Sequence, residues 1–177
     1  FLLIPLIWAP RLLTDGDSAF QIRIGQAILR GEIPFMGPDP FTFLTNLPPF
    51  INPEWLSKVI MGFVFNLSGL GGIVILFSFI IGLSMYLLFK KIRQEAGLLL
   101  AALLTAAALA QTAMHWLARP HLFSLPLFIL LYTFLDDYQY RGKTKSLYFL
   151  PLMMLLWANL HAGFMMGLLL VGIYLAG

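Results

Sequence analysis

Two aspartates that stand two residues apart, Asp15 and Asp17, are the side chains of this sequence best placed to do chemistry. They come just after an apolar run that ends at Leu13, so they lie at the edge of a hydrocarbon layer. A carboxylate in that position is unfavourable unless water, a counter-charge or a metal ion stabilises it. We therefore predict that the pair marks the active site of a membrane protein. The alternative is an acidic loop that simply faces water.

The composition explains why the surroundings are predicted to be lipid. Hydrophobic residues make up 60% of the sequence and charged residues only 11%, whereas a soluble domain carries about 25% charged residues. Too little polar surface remains to cover a globule of 177 residues in water. The net charge of +3 comes from bases in short loops, which indicates membrane topology and not nucleic-acid binding. The sequence has no cysteine, which excludes disulfides and thiolate metal sites.

Apolar stretches of transmembrane length separate the polar residues. The chain begins without Met and both begins and ends inside apolar runs, so we interpret it as a fragment whose residues 1–13 end a first transmembrane helix. Residues 14–70 are predicted to form an extracytoplasmic loop, and residues 71–177 further transmembrane helices. The predicted spans are 72–89, 97–113 and 122–138, and then one and a half spans in 146–177 with a break at 159–163. The fold class is therefore predicted to be all-α, a polytopic transmembrane helical bundle.

The loop is predicted to contain two juxtamembrane amphipathic helices. The first covers residues 18–30, has an apolar face with most polar residues elsewhere, and is ended by Gly31. Either Asp17 or Ser18 is predicted to be its N-cap.

The second juxtamembrane helix is predicted over residues 52–67. Asn52 is a natural cap, Pro53 suits the first helical position, and Glu54 suits the positive end of the helix dipole. The Pro-rich and Phe-rich segment 32–53 excludes a long helix and is predicted to be ordered.

If the spans alternate across the membrane, the basic residues divide between its two faces. Six of them lie in two short loops at one face: Lys90, Lys91, Arg93, Arg141, Lys143 and Lys145. Because the positive-inside bias counts mainly in short loops, that face is predicted to be cytoplasmic. The opposite face then carries Arg119, all three histidines and four of the eight acids: His115, His121, His161, Asp15, Asp17, Asp39 and Glu54. This gathering at one face indicates a functional site.

Several short motifs occur in a recognisable order. They are Asp15-Gly16-Asp17, Gly31-Glu32-Ile33-Pro34, Pro38-Asp39-Pro40-Phe41, Glu54-Trp55-Leu56, Ala118-Arg119-Pro120-His121 and Trp157-Ala158-Asn159-Leu160-His161. The set resembles one bacterial branch of the polyprenyl-phosphate-dependent glycosyltransferases with the C-type fold, a group that includes protein O-mannosyltransferases and aminoarabinose transferases. The resemblance covers most of the chain. Family members carry more spans and often a soluble C-terminal domain, which this sequence does not contain.

The resemblance implies an integral-membrane glycosyltransferase of the bacterial plasma membrane, which moves a sugar from a polyprenyl-phosphate-linked donor to an extracytoplasmic acceptor. It also implies that an acid of the first loop is the catalytic base or a metal ligand. We assign Asp15 as the base. Asp17 binds metal or acceptor, or is only the helix cap. A Mg²⁺ or Mn²⁺ ion held by Asp15 and Asp17 is the candidate cofactor.

Four more residues are candidate substrate ligands. Arg119 suits the donor phosphate, and its alternative role is that of an arginine that snorkels to the interface. His121 and His161 are candidates to bind phosphate or acceptor, or to donate hydrogen bonds within the bundle. Glu54 is a candidate ligand or only a helix N-terminal acid. The tryptophans are interpreted as interface anchors: Trp55, Trp116 and Trp157.

A different class of function is also open. The chain could be a non-catalytic subunit of a larger membrane complex, or a transporter whose polar residues line a path or a protein interface. Transporter sites usually lie near the bilayer midplane in broken helices. The ionisable residues here are predicted at one face, beside interfacial helices, where a lipid-linked donor would present its phosphate. The sequence therefore favours the glycosyltransferase.

Overall fold

The computed structural model describes residues 9–34, 36–37, 50–51 and 53–177, which are mainly helical, as predicted. The α-helices are α1 (Ala9–Leu12), α2 (Gly16–Leu29), α3 (Trp55–Thr112), α4 (Ser124–Arg141), α5 (Leu150–Leu160) and α6 (Phe164–Ala176). Short 3₁₀ helices are Ala113–His115, Pro120–Phe123 and Lys145–Phe149. Two-residue strands β1 (Met36–Gly37) and β2 (Phe50–Ile51) pair antiparallel. Most of the Pro-rich segment 32–53, including Asp39, lies outside the described residues.

Helix α3 is broken at two glycines into three segments. Gly69 has φ 60° and ψ −153°, and Gly97 has φ 76° and ψ 178°. Glycine reaches these conformations without the steric cost that a Cβ would bring. We call the segments α3a (55–68), α3b (70–96) and α3c (98–112).

The second break turns the chain back on itself. Ile73 and Phe77 of α3b belong to a core cluster against which Leu109 and Ala113 also pack. In a straight helix Ile73 and Leu109 would be about 54 Å apart. These contacts therefore require α3c to run back along α3b from Gly97. In the described part of the chain, one helix, Trp55–His115, is long and apolar enough to cross a membrane by length and composition.

Helix α2 crosses α3a at a contact between two glycines. A Cβ on Gly62 would lie 2.6 Å from the backbone N of Gln26, and a Cβ on Gly25 would overlap the backbone of Lys58. Small residues allow two helix backbones to approach this closely. Gln26 Nε2 also donates to Asn66 Oδ1 at 2.6 Å. The crossing fixes where the start of α2 lies relative to the start of α3.

Helix α4 packs against α5 and α6 through a second core cluster. Its buried members are Leu131, Leu135, Met153 and Trp157. Gly167 of α6 lies under the indole of Trp157, where a Cβ would come within 2.7 Å of Cζ3. The 18 residues of α4 extend about 27 Å, close to the ~30 Å of a bilayer's hydrocarbon core.

Polar clusters lie at the two ends of α4. We call the one at its start the acid–histidine end: Asp15, Asp17, Glu54, Arg119, His121 and His161. We call the one at its finish the lysine-rich end: Lys90, Lys91, Arg93, Glu95, Asp136, Asp137, Arg141, Lys143 and Lys145. There, Lys91 pairs with Asp136, and Arg141 with Glu95. The side chain of Lys91 is only 5% exposed, so its pair with Asp136 is a buried one.

Two helix ends agree with the sequence predictions. Gly31, with φ 71°, follows the last turn of α2, and its N–H donates to Ile28 O at 3.0 Å. The break predicted at 159–163 is confirmed, because α5 ends at Leu160 and α6 begins at Phe164.

Two helix starts differ from the predictions. The N-cap of α2 is Asp15, and neither Asp17 nor Ser18 occupies that position. Helix α3 begins at Trp55, so Pro53 is not its first residue; Glu54 precedes it with left-handed φ 60° and ψ 27°. Asn52 lies outside the described residues. The end of the second helix agrees with the prediction, because the non-helical backbone of Gly69 ends α3a, and α3b begins directly beyond it.

Candidate functional site

Asp15 is held by the helix that it caps. Its backbone is extended, with φ −110° and ψ 129°, and its Oδ1 accepts the N–H of Asp17 at 3.2 Å. A carboxylate at an N-cap satisfies an N–H that has no partner within the helix and faces the positive end of the helix dipole. Because Asp17 lies in the first turn, the start of α2 presents two carboxylates together.

Arg119 reaches these carboxylates from the turn before α4. The turn is tied to the end of α1, because Ala118 N–H donates to Leu12 O at 2.8 Å. Arg119 is extended, with φ −129° and ψ 161°, as expected for a residue that precedes proline. Its Nε donates to Asp15 Oδ2, and its Nη2 lies 3.0 Å from Asp17 Oδ2. One guanidinium therefore bridges both acids.

This bridge sets the charge state of Asp15. The hydrogen bond from Arg119 holds the pKa of the Asp15 carboxyl below its usual range; burial opposes this shift, and the N–H of Asp17 adds to it. Asp15 likewise raises the pKa of Arg119. The side chains are 18% exposed for Asp15, 35% for Arg119 and 61% for Asp17, so solvent reaches the bridge from the Asp17 side.

A second network joins the start of α3 to the break between α5 and α6. Glu54 Oε1 lies 3.4 Å from His161 Nε2. The N–H of Gly163 donates to His161 Nδ1 at 2.9 Å, so Nδ1 is an acceptor and the proton of a neutral ring lies on Nε2, toward Glu54.

Ser124 extends this network. Its Oγ lies 2.8 Å from His161 Nδ1 and accepts the indole N–H of Trp157 at 2.8 Å. Since Nδ1 is an acceptor, the hydroxyl of Ser124 donates to it. Trp55 is anchored alongside, because its Nε1 donates to Asn159 Oδ1 at 2.7 Å.

His121 lies between the two networks. Its Nε2 lies 3.0 Å from His115 O and must donate to it, and its ring centroid lies 6.4 Å from that of His161. Burial lowers the pKa of His121, which favours the neutral imidazole. The other predicted site residues form two groups: Asp15 and Asp17 with Arg119, and Glu54 with His161.

The described residues do not fit a divalent metal ion at Asp15 and Asp17. A hard cation such as Mg²⁺ takes oxygen ligands in an octahedron, but both carboxylates here are engaged by one guanidinium whose positive charge opposes a cation. No group of three His, Asp or Glu among the described residues is arranged to hold a metal. Metal dependence stays a prediction.

Sequence reasoning missed Ser124 and misjudged two tryptophans. Nothing in the sequence pairs Ser124 with His161, 37 positions away; the one available hint is that Ser124 comes three residues after His121, at the start of α4. Trp116 and Trp157, interpreted as interface anchors, are 2% and 1% exposed and belong to the core clusters. An indole packs in a protein core as readily as at an interface, so residue type alone did not separate the two.

No family model matches this chain, and no curated protein or solved structure matches it either. A functional hypothesis therefore depends on the geometry of the acid–histidine end.

Proposed function

We propose that the chain is part of an integral-membrane glycosyltransferase that moves a sugar from a polyprenyl-phosphate-linked donor to an acceptor at the extracytoplasmic face. One observation carries the proposal: Arg119 bridges Asp15 and Asp17 at one end of the bundle. This arrangement offers a cation for a phosphate leaving group and a carboxylate for the acceptor's proton. Both are the groups that sugar transfer from a lipid phosphate requires.

The membrane placement is part of the proposal. Helix α4 is close to bilayer thickness, and α3b and α3c run back along each other through Gly97, as two successive spans would. The lysine-rich end would face the cytoplasm by the positive-inside bias. Helix α2, crossing α3a at the other end, would lie in the extracytoplasmic interface.

Cysteine labelling tests this orientation. The sequence contains no cysteine, and both Ala19 and Thr144 are exposed at opposite ends. In a cysteine-free full-length protein, Ala19→Cys should react with a membrane-impermeant maleimide added from outside, and Thr144→Cys should react only after permeabilisation. The reverse pattern would place the acid–histidine end in the cytoplasm and contradict the proposal.

The proposed reaction uses Asp15 as the base. Asp15 takes the proton of the acceptor O–H or N–H, the freed electron pair attacks the anomeric carbon, and the bond from that carbon to the phosphate oxygen breaks. The polyprenyl phosphate leaves with the electron pair of the broken carbon–oxygen bond. Arg119 stabilises the charge that develops on its oxygen, and the proton ends on Asp15.

The ion pair makes the order of events important. While Arg119 is bound to Asp15, the lowered pKa of that carboxyl makes it a weak base. In the proposed cycle the donor phosphate, with its oxygens suited to the planar guanidinium, draws Arg119 away from the aspartates. Asp15 then regains basicity only when the donor is bound, which couples donor binding to proton abstraction.

Three variants of the full-length enzyme test the roles. Asp15→Asn should lower turnover on the order of 10²–10⁴-fold and should tighten donor binding, since one competitor for Arg119 is gone. Arg119→Ala should weaken donor binding as well as slow turnover. Asp17→Asn is the matched control, because it removes one carboxylate of the bridge but leaves the proposed base. Turnover and donor affinity would be measured separately, on protein shown to be folded.

Near-normal turnover in Asp15→Asn would falsify the assignment of the base. Equal losses in Asp15→Asn and Asp17→Asn would mean that the two acids act together and that the control is itself part of the machinery.

A structural role is the second candidate, and one observation favours it. In the described part of the chain, Asp15, Asp17 and Glu54 each have a cationic or histidine partner, as in a clamp that holds elements together in a non-catalytic subunit. A clamp predicts that Asp15→Asn and Arg119→Ala lower thermal stability by similar amounts and that a polyprenyl phosphate does not bind. Saturable binding of that lipid, lost in Arg119→Ala, separates the enzyme from the clamp.

A further inference from the structure

A cleft at the lysine-rich end lies far from the proposed active site. One cavity of about 450 Å³ lies between α4 and the turn that follows it, and a second of about 280 Å³ lies between α4 and α3b. Thr133, Phe134, Asp137 and Lys143 line both cavities, so the two cavities adjoin, and we call them together the cleft.

The lining combines hydrocarbon with positive charge. Leu87, Leu130 and Phe134 supply the apolar surface. The basic and hydroxyl groups come from Lys90, Lys91, Lys143, Thr144, Lys145 and Ser146. Asp137 is the one acid among the described residues that line the cleft. A ligand suited to this lining carries both a negative charge and an apolar part.

The lysines of the cleft divide into two that are paired with aspartates and two that, among the described residues, are not. Lys91 is paired with Asp136, and Lys143 Nζ lies 2.9 Å from Asp137 Oδ2. Lys90 and Lys145 are exposed, and the ion pairs formed by the described residues include neither of them.

We propose that this cleft binds one anionic phospholipid of the surrounding membrane, with Lys90 and Lys145 at its phosphate. The acyl-chain carbons nearest the headgroup would contact Leu87, Leu130 and Phe134. The cleft lies at one end of a helix of about bilayer length, where headgroups lie. A free phosphate ion would leave the apolar lining unused. The inference rests on the membrane orientation proposed above and is independent of glycosyl transfer.

The expected contribution of the two lysines to lipid affinity follows from their charges. Each basic residue near an anionic membrane surface strengthens binding roughly fivefold, so removing Lys90 and Lys145 together should weaken binding roughly 10- to 30-fold. The effect should shrink as salt is added, because salt screens exposed charges.

The test uses the full-length protein in micelles or phosphatidylcholine nanodiscs, titrated with phosphatidylglycerol. Bound lipid would be counted by native mass spectrometry, and the rise in Tm would be followed in parallel. The Lys90→Gln/Lys145→Gln variant should lose the preference for phosphatidylglycerol. Arg93→Gln is the matched control, since Arg93 is exposed near the cleft but does not line it. Inorganic phosphate at equal concentration should neither compete nor raise Tm.

Three results would overturn the proposal: equal affinity for phosphatidylcholine and phosphatidylglycerol, an equal loss in Arg93→Gln, or full competition by inorganic phosphate. The experiment also separates this site from the enzymatic one. The double variant should keep normal sugar transfer, and Asp15→Asn should keep normal phosphatidylglycerol binding.

Discussion

At the lysine-rich end, charged side chains pair with residues one helical turn away or on the neighbouring helix. At the acid–histidine end, the two acids at the start of α2 pair with one arginine that is distant in sequence. Lys91 with Glu95, and Arg141 with Asp137, are spaced i,i+4. Asp15 and Arg119 are 104 positions apart.

The two ends also differ in their ratio of basic to acidic residues. Six basic residues at the lysine-rich end face three acids, so positive charge is left over even when every acid is paired. At the acid–histidine end Arg119 is shared by two carboxylates, so its positive charge is already neutralised. An anion that arrives at the first end finds unused lysines, whereas one that arrives at the second must compete for a guanidinium already in use. The first arrangement suits steady binding of an anion, and the second suits a change of partner.

The largest stability effect is expected at the lysine-rich end, where the pair is buried. Lys91→Met leaves Asp136, 13% exposed, without its main cation, and should cost about 3–5 kcal/mol of unfolding free energy. The Lys91→Met/Asp136→Leu double variant should recover most of that loss, because the unpaired charge is gone. Thermal unfolding in detergent measures both. If Lys91→Met is as stable as the parent protein, the Lys91–Asp136 pair does not stabilise the lysine-rich end.

A smaller effect is expected beneath the acid–histidine end, where α2 crosses α3a. Gly62→Ala places a methyl group against the backbone of α2, and such overpacking typically costs about 1–3 kcal/mol. Gly71→Ala is the control, because nothing lies within 4 Å of a Cβ there and alanine is the better helix former.

If the crossing positions the site, Gly62→Ala should also reduce the proposed donor binding while leaving phosphatidylglycerol binding at the other end unchanged. Equal stability in Gly62→Ala and Gly71→Ala would mean that the two helix backbones are farther apart than the structure has them.

The smallest effect concerns the titration of Asp15. Its pKa is lowered in the folded protein, so its contribution to stability is present at neutral pH and is lost as pH falls from the ordinary aspartate range, about 3.9, through the lowered value. Arg119→Gln should bring the Asp15 pKa back up and so flatten this acid-side loss. Solvent screens this partly exposed pair, so the change in stability should be the smallest of the three.

Carbon-13 NMR of labelled aspartate carboxyls is the direct measurement for Asp15, with Arg23→Gln as a control that removes an exposed cation away from the bridge. An Asp15 midpoint that does not move in Arg119→Gln would contradict the bridge.

Much of the fold followed from the sequence because helix ends are local features. Gly31 ends α2, and the break before Phe164 was visible in the chain; both depend on residues within a few positions. Alternating spans also brought Arg119 and the acids to one predicted face. That they touch was not predictable, because the rotation of each helix about its axis is decided by packing, including the contact of Gly25 with Gly62.

Other parts of the site were not predictable from the sequence. Asp15 caps α2 because its carboxylate accepts the Asp17 N–H, whereas the sequence pointed to Asp17 or Ser18, which are equally good capping residue types. The hydrogen bond of Ser124 to His161 joins two segments whose separation in space the sequence does not define. Gly97 looked like the start of a span, but its left-handed φ makes it the point where the chain reverses.

The hydrogen bond from Ala118 N–H to Leu12 O has a consequence for how the protein is made. At about 5–20 residues per second, a ribosome needs roughly 5–20 s to synthesise the stretch between Asp15 and Arg119. During that time Asp15 and Asp17 lack Arg119, and under the membrane placement proposed above they would stay in interfacial water while the later helices are inserted. The turn that carries Arg119 is therefore made late. If the proposed membrane placement holds, a nascent chain halted before this turn would expose an unassembled loop to the proteases that degrade incomplete membrane proteins.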